Sequence, residues 1–557
     1  MPYIRKSRMR GTHSTRPKGR RKQMSNNDNS TGIPPLVRAA LRGRLSRRHF
    51  MERALLLGLT VPLASSIWSG QVAATTPRSG GTFRVGVKDA NVTDSLDPGT
   101  AGALFTIMLN RMCRSALTEV TATNALGPDA AESWEASPDA KRWRFKLYGG
   151  QEFQNGKPLT AEDVVATLNY HRGPNSKSGA RGLLSDVEDV TADGKDTVVI
   201  TMKLGTADLP YLLADYHLGI LPSKGGEVDW QSGVGSGPFK LDNFQPGVQA
   251  TFSRYKNYHG QAYFDAVQMT GINDASARVN ALVTNQLDAV SDVDLKTVAM
   301  LSRRPEIQLQ EVPSGQAVSM DMHCDAAPFD KNDIRLALKY AIDRQEIVNK
   351  ISGGHATVGN DHPIGPNIPY YAELEQRTFD PERARYHLKK AGAEGLSVSI
   401  STSNAAYDGA VDMCALYAES AAKAGIKLEI VSEAADSYWD NVWLKKPFVV
   451  GGYGQRATPD MMFSTFFRDG APWSTTHWHD DRFQKLLIQA KAELDQKKRG
   501  DMYREMQQLC RDESGTILVL FEHFISAHRS NVAHGPSLSS EWQLDGGHAF
   551  KRWWFTS

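Results

Sequence analysis

The sequence of 557 residues has only four cysteines, Cys113, Cys324, Cys414 and Cys510, far apart and in no Cys-x-x-Cys spacing. That distribution gives no support to a structural zinc or dithiol redox site. Three of the four fall in segments that read as helix, where a buried thiol is the common state, although an oxidising compartment would also permit a bridge. Long apolar runs are missing too. The stretch from Ala54 to Trp68 is broken by Gly58, Pro62 and serines, and it is too short to cross ~30 Å of hydrocarbon comfortably. No cysteine follows it, which argues against a bacterial lipid anchor. Catalytic signatures are equally scarce: there is no Gly-x-Ser-x-Gly elbow, no His-Glu-x-x-His, no phosphate-cradling loop and no dinucleotide fingerprint between strand and helix. "GVGSGPF" comes nearest, but Pro238 and Phe239 lead it into a strand. No catalytic constellation is recognisable by motif, and an exported hydrolase or cofactor enzyme stays as a rival reading.

What is present begins with an uneven charge. Residues 1–74 hold fifteen Lys/Arg against two Asp/Glu, so the remainder carries 50 basic and 60 acidic residues, a net of −10. An acidic body argues against nucleic acid as partner, because a binder of polyphosphate needs a basic face. Within the basic segment, Ser46 is followed by the pair Arg47 and Arg48, then Phe50 and Met51, the apolar stretch, and the small-residue exit Val72, Ala73 and Ala74. This resembles a twin-arginine export signal with cleavage after Ala74. The stretch ahead of Ser46 is either an extended leader or a start assigned too far upstream. The mature protein is expected to be soluble and periplasmic, exported already folded.

The mature sequence opens with "GGTFRVGV", an alternating strand, then the loop "DSLDPGTAGA" and a helical run from Leu104 to Thr118. "WRFKLYGG" and "TVVITMKL" read as strands. Between them, Thr160 and Asp163 stand in capping-box spacing ahead of a helix. "GPFKLDNFQ" and "QATFSRY" read as strands joined by a Pro-Gly turn. Two segments look like crossings between lobes: "IQLQEVPSGQAVSMDMHC", extended around a Pro-Ser-Gly break, and the apolar "TILVLFEHFISAH". The helix-rich part, Pro328 to Arg511, lies between them. "FKRWWFTS" is too aromatic for a free tail and is expected to dock on the first lobe. Two lobes joined by two crossing strands make a hinge.

Along nearly its whole mature length the chain resembles the family 5 solute-binding proteins of bacterial ABC importers, the dipeptide and oligopeptide-binding group. The resemblance is carried by "DSLDP", "AAESWEASPDAKRWRFKLYGGQEFQNGKPLTAEDVV", "GSGPFKLDNFQPG", "DAVQMTGINDASARVNALVTNQLDAV", "PFDKNDIRLALKYAIDRQEIV", "FDPERARYHLKKAG" and "KRWWF", in that order. It implies an α/β, two-lobed, three-domain periplasmic binding protein that closes on a small organic solute and presents it to an inner-membrane permease. The implied partition is a leader over 1–74, lobe 1 over 75–120, an inserted subdomain over 121–232, more of lobe 1 over 233–314, lobe 2 over 315–516 and a return to lobe 1 over 517–557. A monomer without a cofactor is implied as well.

In that family the segment matching "VVGGYGQRATPDMMFSTFF" lines the cleft. Peptide-binding members place an aspartate there for the peptide ammonium; this chain has Gln455 and Arg456. The arginine that dipeptide binders use for the ligand carboxylate has no counterpart in "TSNAAYDGA", whereas Trp439 agrees with their cleft tryptophan. An α-dipeptide thus fits the charge-reading positions poorly; a peptide stays the default solute, with opines, sugar acids, oligosaccharides and metal complexes open as alternatives. Arg456 either meets an anionic ligand group, pairs with Asp460, or is a solvated loop residue. Tyr453, Gln455, Arg456, Trp439 and Trp473 are the side chains expected to read the solute, with Asp460 beside them and main-chain groups of Ala101 and Gly102 from the first lobe. His477 and His479 form a His-x-His pair without a third ligand at recognisable spacing, and neighbours His323 and Cys324 should face opposite ways on a strand. No metal site is assigned.

Overall fold

The structure, a computed structural model, describes residues 77–173, 175–471 and 473–556. The export-signal reading lies outside these residues. No helix among them is long and apolar enough to cross a membrane.

Eleven strands form one mixed sheet. At one end the hairpin Phe239–Gln245 and Gln249–Arg254 pairs antiparallel with Ala266–Gly271, which runs parallel to the opening strand Thr82–Val87. The short strand Ala289–Val290 joins this half to the Thr516–Arg529 strand. Beyond lie Ile307–Met322, Phe448–Tyr453, Ser397–Thr402 and Lys427–Ser432. The last two are parallel, and the helix Ala410–Ala422 connects them as a crossover. A separate antiparallel sheet is built from Ala131–Ala136, Arg142–Leu147, Thr197–Met202 and Val187–Ala192. The helix Ala161–His171 packs on it and starts with the expected reciprocal cap between Thr160 and Asp163.

Both crossings expected from sequence are strands, and they pair with each other. Ile307–Met322 and Thr516–Arg529 run antiparallel from Ile307 opposite Arg529 to Asp321 opposite Thr516. The ladder shifts register between Pro313 and Ala317. Proline has no N–H to donate, and the freed groups find other partners: Ser314 Oγ donates to the Glu522 carbonyl at 2.8 Å, and Gly315 N–H donates to Gln455 Oε1 at 2.7 Å.

Each lobe has its own core. In the first, Phe83, Phe105, Met108, Phe239 and Phe264 pack around Trp553, and Trp554–Phe555 pairs with Val532–Ala533, so the aromatic terminus docks as expected. In the second, Met320, Met322, Val450 and Ile517 of the sheet bury against helices carrying Leu338, Ile347 and Tyr417. Cys113, Cys414 and Cys510 are buried in helices, Cys324 is half-buried, and all four are free thiols. Burial pushes the Cys113 thiol up to about 11 and the Cys414 thiol up to about 12.

Candidate functional site

The glycine-rich segment 451–460 begins inside a strand and ends in a helix. Phe448–Tyr453 lies between Ile307–Met322 and Ser397–Thr402. A Cβ on Gly452 would come within 2.4 Å of the Ala317 carbonyl oxygen, so only glycine lets the two backbones approach here. Residues 454–457 form a loop, and Thr458 caps the helix Pro459–Phe466 by accepting the Met461 N–H. The loop opens at the end of a strand facing the crossing point.

Arg456 projects from that loop. Its Nη1 donates to the carbonyls of Gly454 and Gln455 at 3.2 and 3.0 Å. Its guanidinium carbon lies 5.7 Å from the Phe466 ring centre and 5.9 Å from that of Trp473, within cation–π range. No carboxylate among the described residues pairs with it. Burial is the leading influence on the guanidinium and pulls its pKa down, while Tyr216 and Asp215 from the first lobe pull it up.

The alternative partner, Asp460, does not meet Arg456. It sits in the first turn of the helix, 5% exposed, with Oδ1 unpartnered among the described residues. Helical geometry turns its carboxylate toward Asp208, Lys491 and Arg499. Burial, reinforced by Asp208, pushes its pKa up to about 7.

Tyr453 also departs from expectation. Strand alternation sends its ring inward against Phe466 and Phe467. Its hydroxyl lies 2.8 Å from Asp321 Oδ1, 3.0 Å from Thr475 and 2.9 Å from Thr516. With its polar atom satisfied internally and no exposed surface, Tyr453 holds the loop from beneath and does not face the cleft. Gln455 is half-buried and braces the crossing strand through Gly315.

Trp439 and Trp473 are both exposed, at 46% and 43%. Trp443, which sequence reasoning passed over, connects them: its ring centre is 5.4 Å from Trp439 and 6.3 Å from Trp473, and Trp473 continues to Phe466 at 6.0 Å. The Trp443 Nε1 is buried without a hydrogen-bond partner among the described residues. The i, i+4 spacing of Trp439 and Trp443 was the available signal. From the first lobe, Gly102 is exposed and a Cβ there would meet nothing within 4 Å, whereas Ala101 is buried.

Arg456, Asp460 and Trp473 line one wall of a cleft of ≈ 440 Å³; Met202, Leu212 and Gly182, from the part carrying the four-stranded sheet, line the other. One ion pair, Lys491 with Asp186, lies in its lining, and a second, Arg499 with Asp208, is buried on the same two segments. Arg499 Nη1 stands 2.7 Å from Asp208 Oδ1, with both side chains buried, and Lys491 Nζ stands 2.7 Å from Asp186 Oδ2. The Ala207 N–H also donates to the Lys491 carbonyl at 2.8 Å. A cleft with Arg456 and Trp473 on one side and a mixed surface of Met202, Leu212 and Thr206 on the other can hold a small solute that carries a negative group.

Residues 125–475 match the family model described as bacterial extracellular solute-binding proteins, family 5. The chain is 25% identical over 452 residues to the dipeptide-binding protein of Escherichia coli (strain K12), covering 74% of this chain and 83% of that protein. It is 26% identical over 424 residues to the glutathione-binding protein GsiB of Escherichia coli O6:K15:H31, covering 72% and 82%. Among solved structures, HbpA2 from Haemophilus parasuis superposes with a TM-score of 0.75 at 19% identity, covering 83% of this chain and 98% of that one. With hinge, cleft and sequence match in agreement, the chain belongs to the bacterial extracellular solute-binding proteins, family 5.

Proposed function

We propose that the protein captures a peptide or similar small organic solute in the periplasm and delivers it to an ABC permease, with Arg456 receiving a carboxylate of the solute. The observation that carries the reading is a half-buried guanidinium on the cleft wall, within cation–π range of two aromatic rings and paired with no protein carboxylate among the described residues. A planar fork in such a place suits a carboxylate bidentately. The relatives named for dipeptide and glutathione binding support a peptide-like class. The role is binding rather than catalysis, and the working form is a monomer that reaches its compartment folded by the twin-arginine route.

Within this reading, lobe 1 comprises residues 75–120, 233–314 and 517–557 with the inserted subdomain 121–232, and lobe 2 comprises 315–516, the crossing strand still packing Ile517, Val519 and Leu520 into the core of lobe 2. Trp439, Trp443 and Trp473 form an apolar platform beside the charge-reading group. That platform gives the second reading, a non-peptide anionic solute such as an opine or sugar acid, its own support; peptide-like solutes remain preferred.

The test is native mass spectrometry of the protein from its producing cells, followed by calorimetry with the released compound and with a panel of dipeptides and glutathione. A carboxylate-bearing ligand is expected, and Arg456→Ala should weaken it by about 1.5 kcal/mol or more, roughly tenfold. Unchanged affinity in Arg456→Ala overturns the assignment of Arg456.

A further inference from the structure

We propose that His323, Asp325 and His477 form a binding site for a divalent transition-metal cation in the second lobe, separate from the solute cleft. One donor atom from each of the three lies within 4.8 Å of the others. His323 directly follows the first crossing strand, Asp325 comes two residues later, and His477 belongs to the loop that also carries Trp473. The two segments are fastened together: the Cys324 N–H donates to the Thr476 carbonyl at 2.7 Å, and the His323 N–H to the Pro447 carbonyl at 2.9 Å.

Two features of the cluster lack an internal explanation. His323 is 6% exposed, yet its Nε2 has no hydrogen-bond partner among the described residues. A buried polar nitrogen left unpaired is costly, and a metal ion satisfies it. His477 adopts φ 48°, the left-handed region that non-glycine residues rarely occupy, and strain of this kind gathers at ligand sites. The two imidazoles are stacked with ring centres 3.9 Å apart, and His477 Nδ1 lies 3.0 Å from Asp325 Oδ2. That brings two nitrogens and a carboxylate to one place while Asp325 and His477 remain open to solvent.

Two imidazoles and one carboxylate suit zinc, nickel or copper and not calcium or magnesium, which take oxygen ligands. Donors around a tetrahedral ion stand ~3.4 Å apart, given metal–nitrogen distances of ~2.1 Å. Closing the set from its 4.8 Å limit to that spacing falls to the two exposed members, His477 and Asp325. The sheet register separates this site from the cleft: Ala317 is opposite Tyr453 at the cleft end, whereas Met322, next to His323, is opposite Phe448. Five strand residues span roughly 17 Å. His479 is not part of the set, since it is held by Asp469 and Asp481.

The experiment is calorimetric titration of the EDTA-stripped full chain with ZnCl₂ and with NiCl₂, for the parent and for His323→Ala, Asp325→Asn, His477→Gln and His479→Ala. One saturable equivalent is expected, weakened at least tenfold in each of the first three variants and retained in His479→Ala. Should His323→Ala fail to fold, the two exposed variants decide the matter. Absence of a saturable equivalent, or undiminished binding in Asp325→Asn and His477→Gln, overturns the site. Anomalous diffraction at the zinc edge gives an independent answer: a peak ~2.0–2.2 Å from the three donors supports it, and a peak only elsewhere refutes it.

Discussion

Asp460 shows how one buried carboxyl can set a pH dependence. Burial, with Asp208 and Asp186 adding to it against Lys491 and Arg499, holds its folded pKa at about 7, whereas in an unfolded chain an aspartate titrates near ~3.9. Between about pH 4 and pH 7 the folded state keeps a proton that the unfolded state has released. Stability contributed by this group therefore falls as pH rises through that window and levels off above it. Asp460→Asn is expected to flatten the profile and to raise stability at pH 8 by about 1–4 kcal/mol. Urea unfolding of both proteins at pH 5 and pH 8 checks it; a variant less stable than the parent at pH 8 would show that the carboxylate is stabilised as an ion.

At the scale of elements, one buried triad pins the second crossing strand. Asp361 accepts from Arg344 Nη2 at 2.6 Å and from Arg377 Nη1 at 2.5 Å, and also takes the N–H of Leu518 at 3.0 Å. Arg344 closes the ring by donating to the Leu518 carbonyl at 3.0 Å. Burial opposes the Asp361 charge, but the two guanidiniums outweigh it and hold its pKa below the usual carboxylate range. Asp361→Asn leaves two buried cations around a neutral amide and should cost about 3–5 kcal/mol. The denaturation midpoint reports it, with the slope unchanged if the variant keeps the same compact state. A loss below about 1 kcal/mol would mean that water reaches the triad.

For the whole molecule, two ion pairs that join the 186–208 segment to the helices Asp481–Ala492 and Gln496–Glu513 are expected to bear on closure. Asp208 and Arg499 are 2% and 3% exposed in their pair, and Asp186 and Lys491 lie near them at the rim. Opening returns all four charges to water, so their attraction favours the closed form only while desolvation is offset. Removing one partner tips the balance toward opening, because the remaining charge prefers solvent. Asp208→Ala should enlarge the radius of gyration of the ligand-free protein in solution scattering and weaken solute binding by about tenfold, roughly 1.4 kcal/mol. Identical scattering and identical affinity would remove the pair from any part in closure.

Much of this was legible before folding. The capping pair Thr160 and Asp163, the Pro-Ser-Gly break and the aromatic terminus depend on local chemistry or on the burial demand of a few side chains, so the sequence alone determined them. The two-lobed class was legible as well, since the motifs keep their order along the chain. Tertiary packing decided the rest. Whether Tyr453 faces in or out depends on which side of its strand meets Phe466, and whether Arg456 pairs with Asp460 depends on the turn of a helix begun at Pro459. The contact of Trp443 with Trp473 and the meeting of His477 with His323 and Asp325 join residues that are distant along the chain. No spacing rule encodes such meetings, because they exist only once the strands have chosen their neighbours.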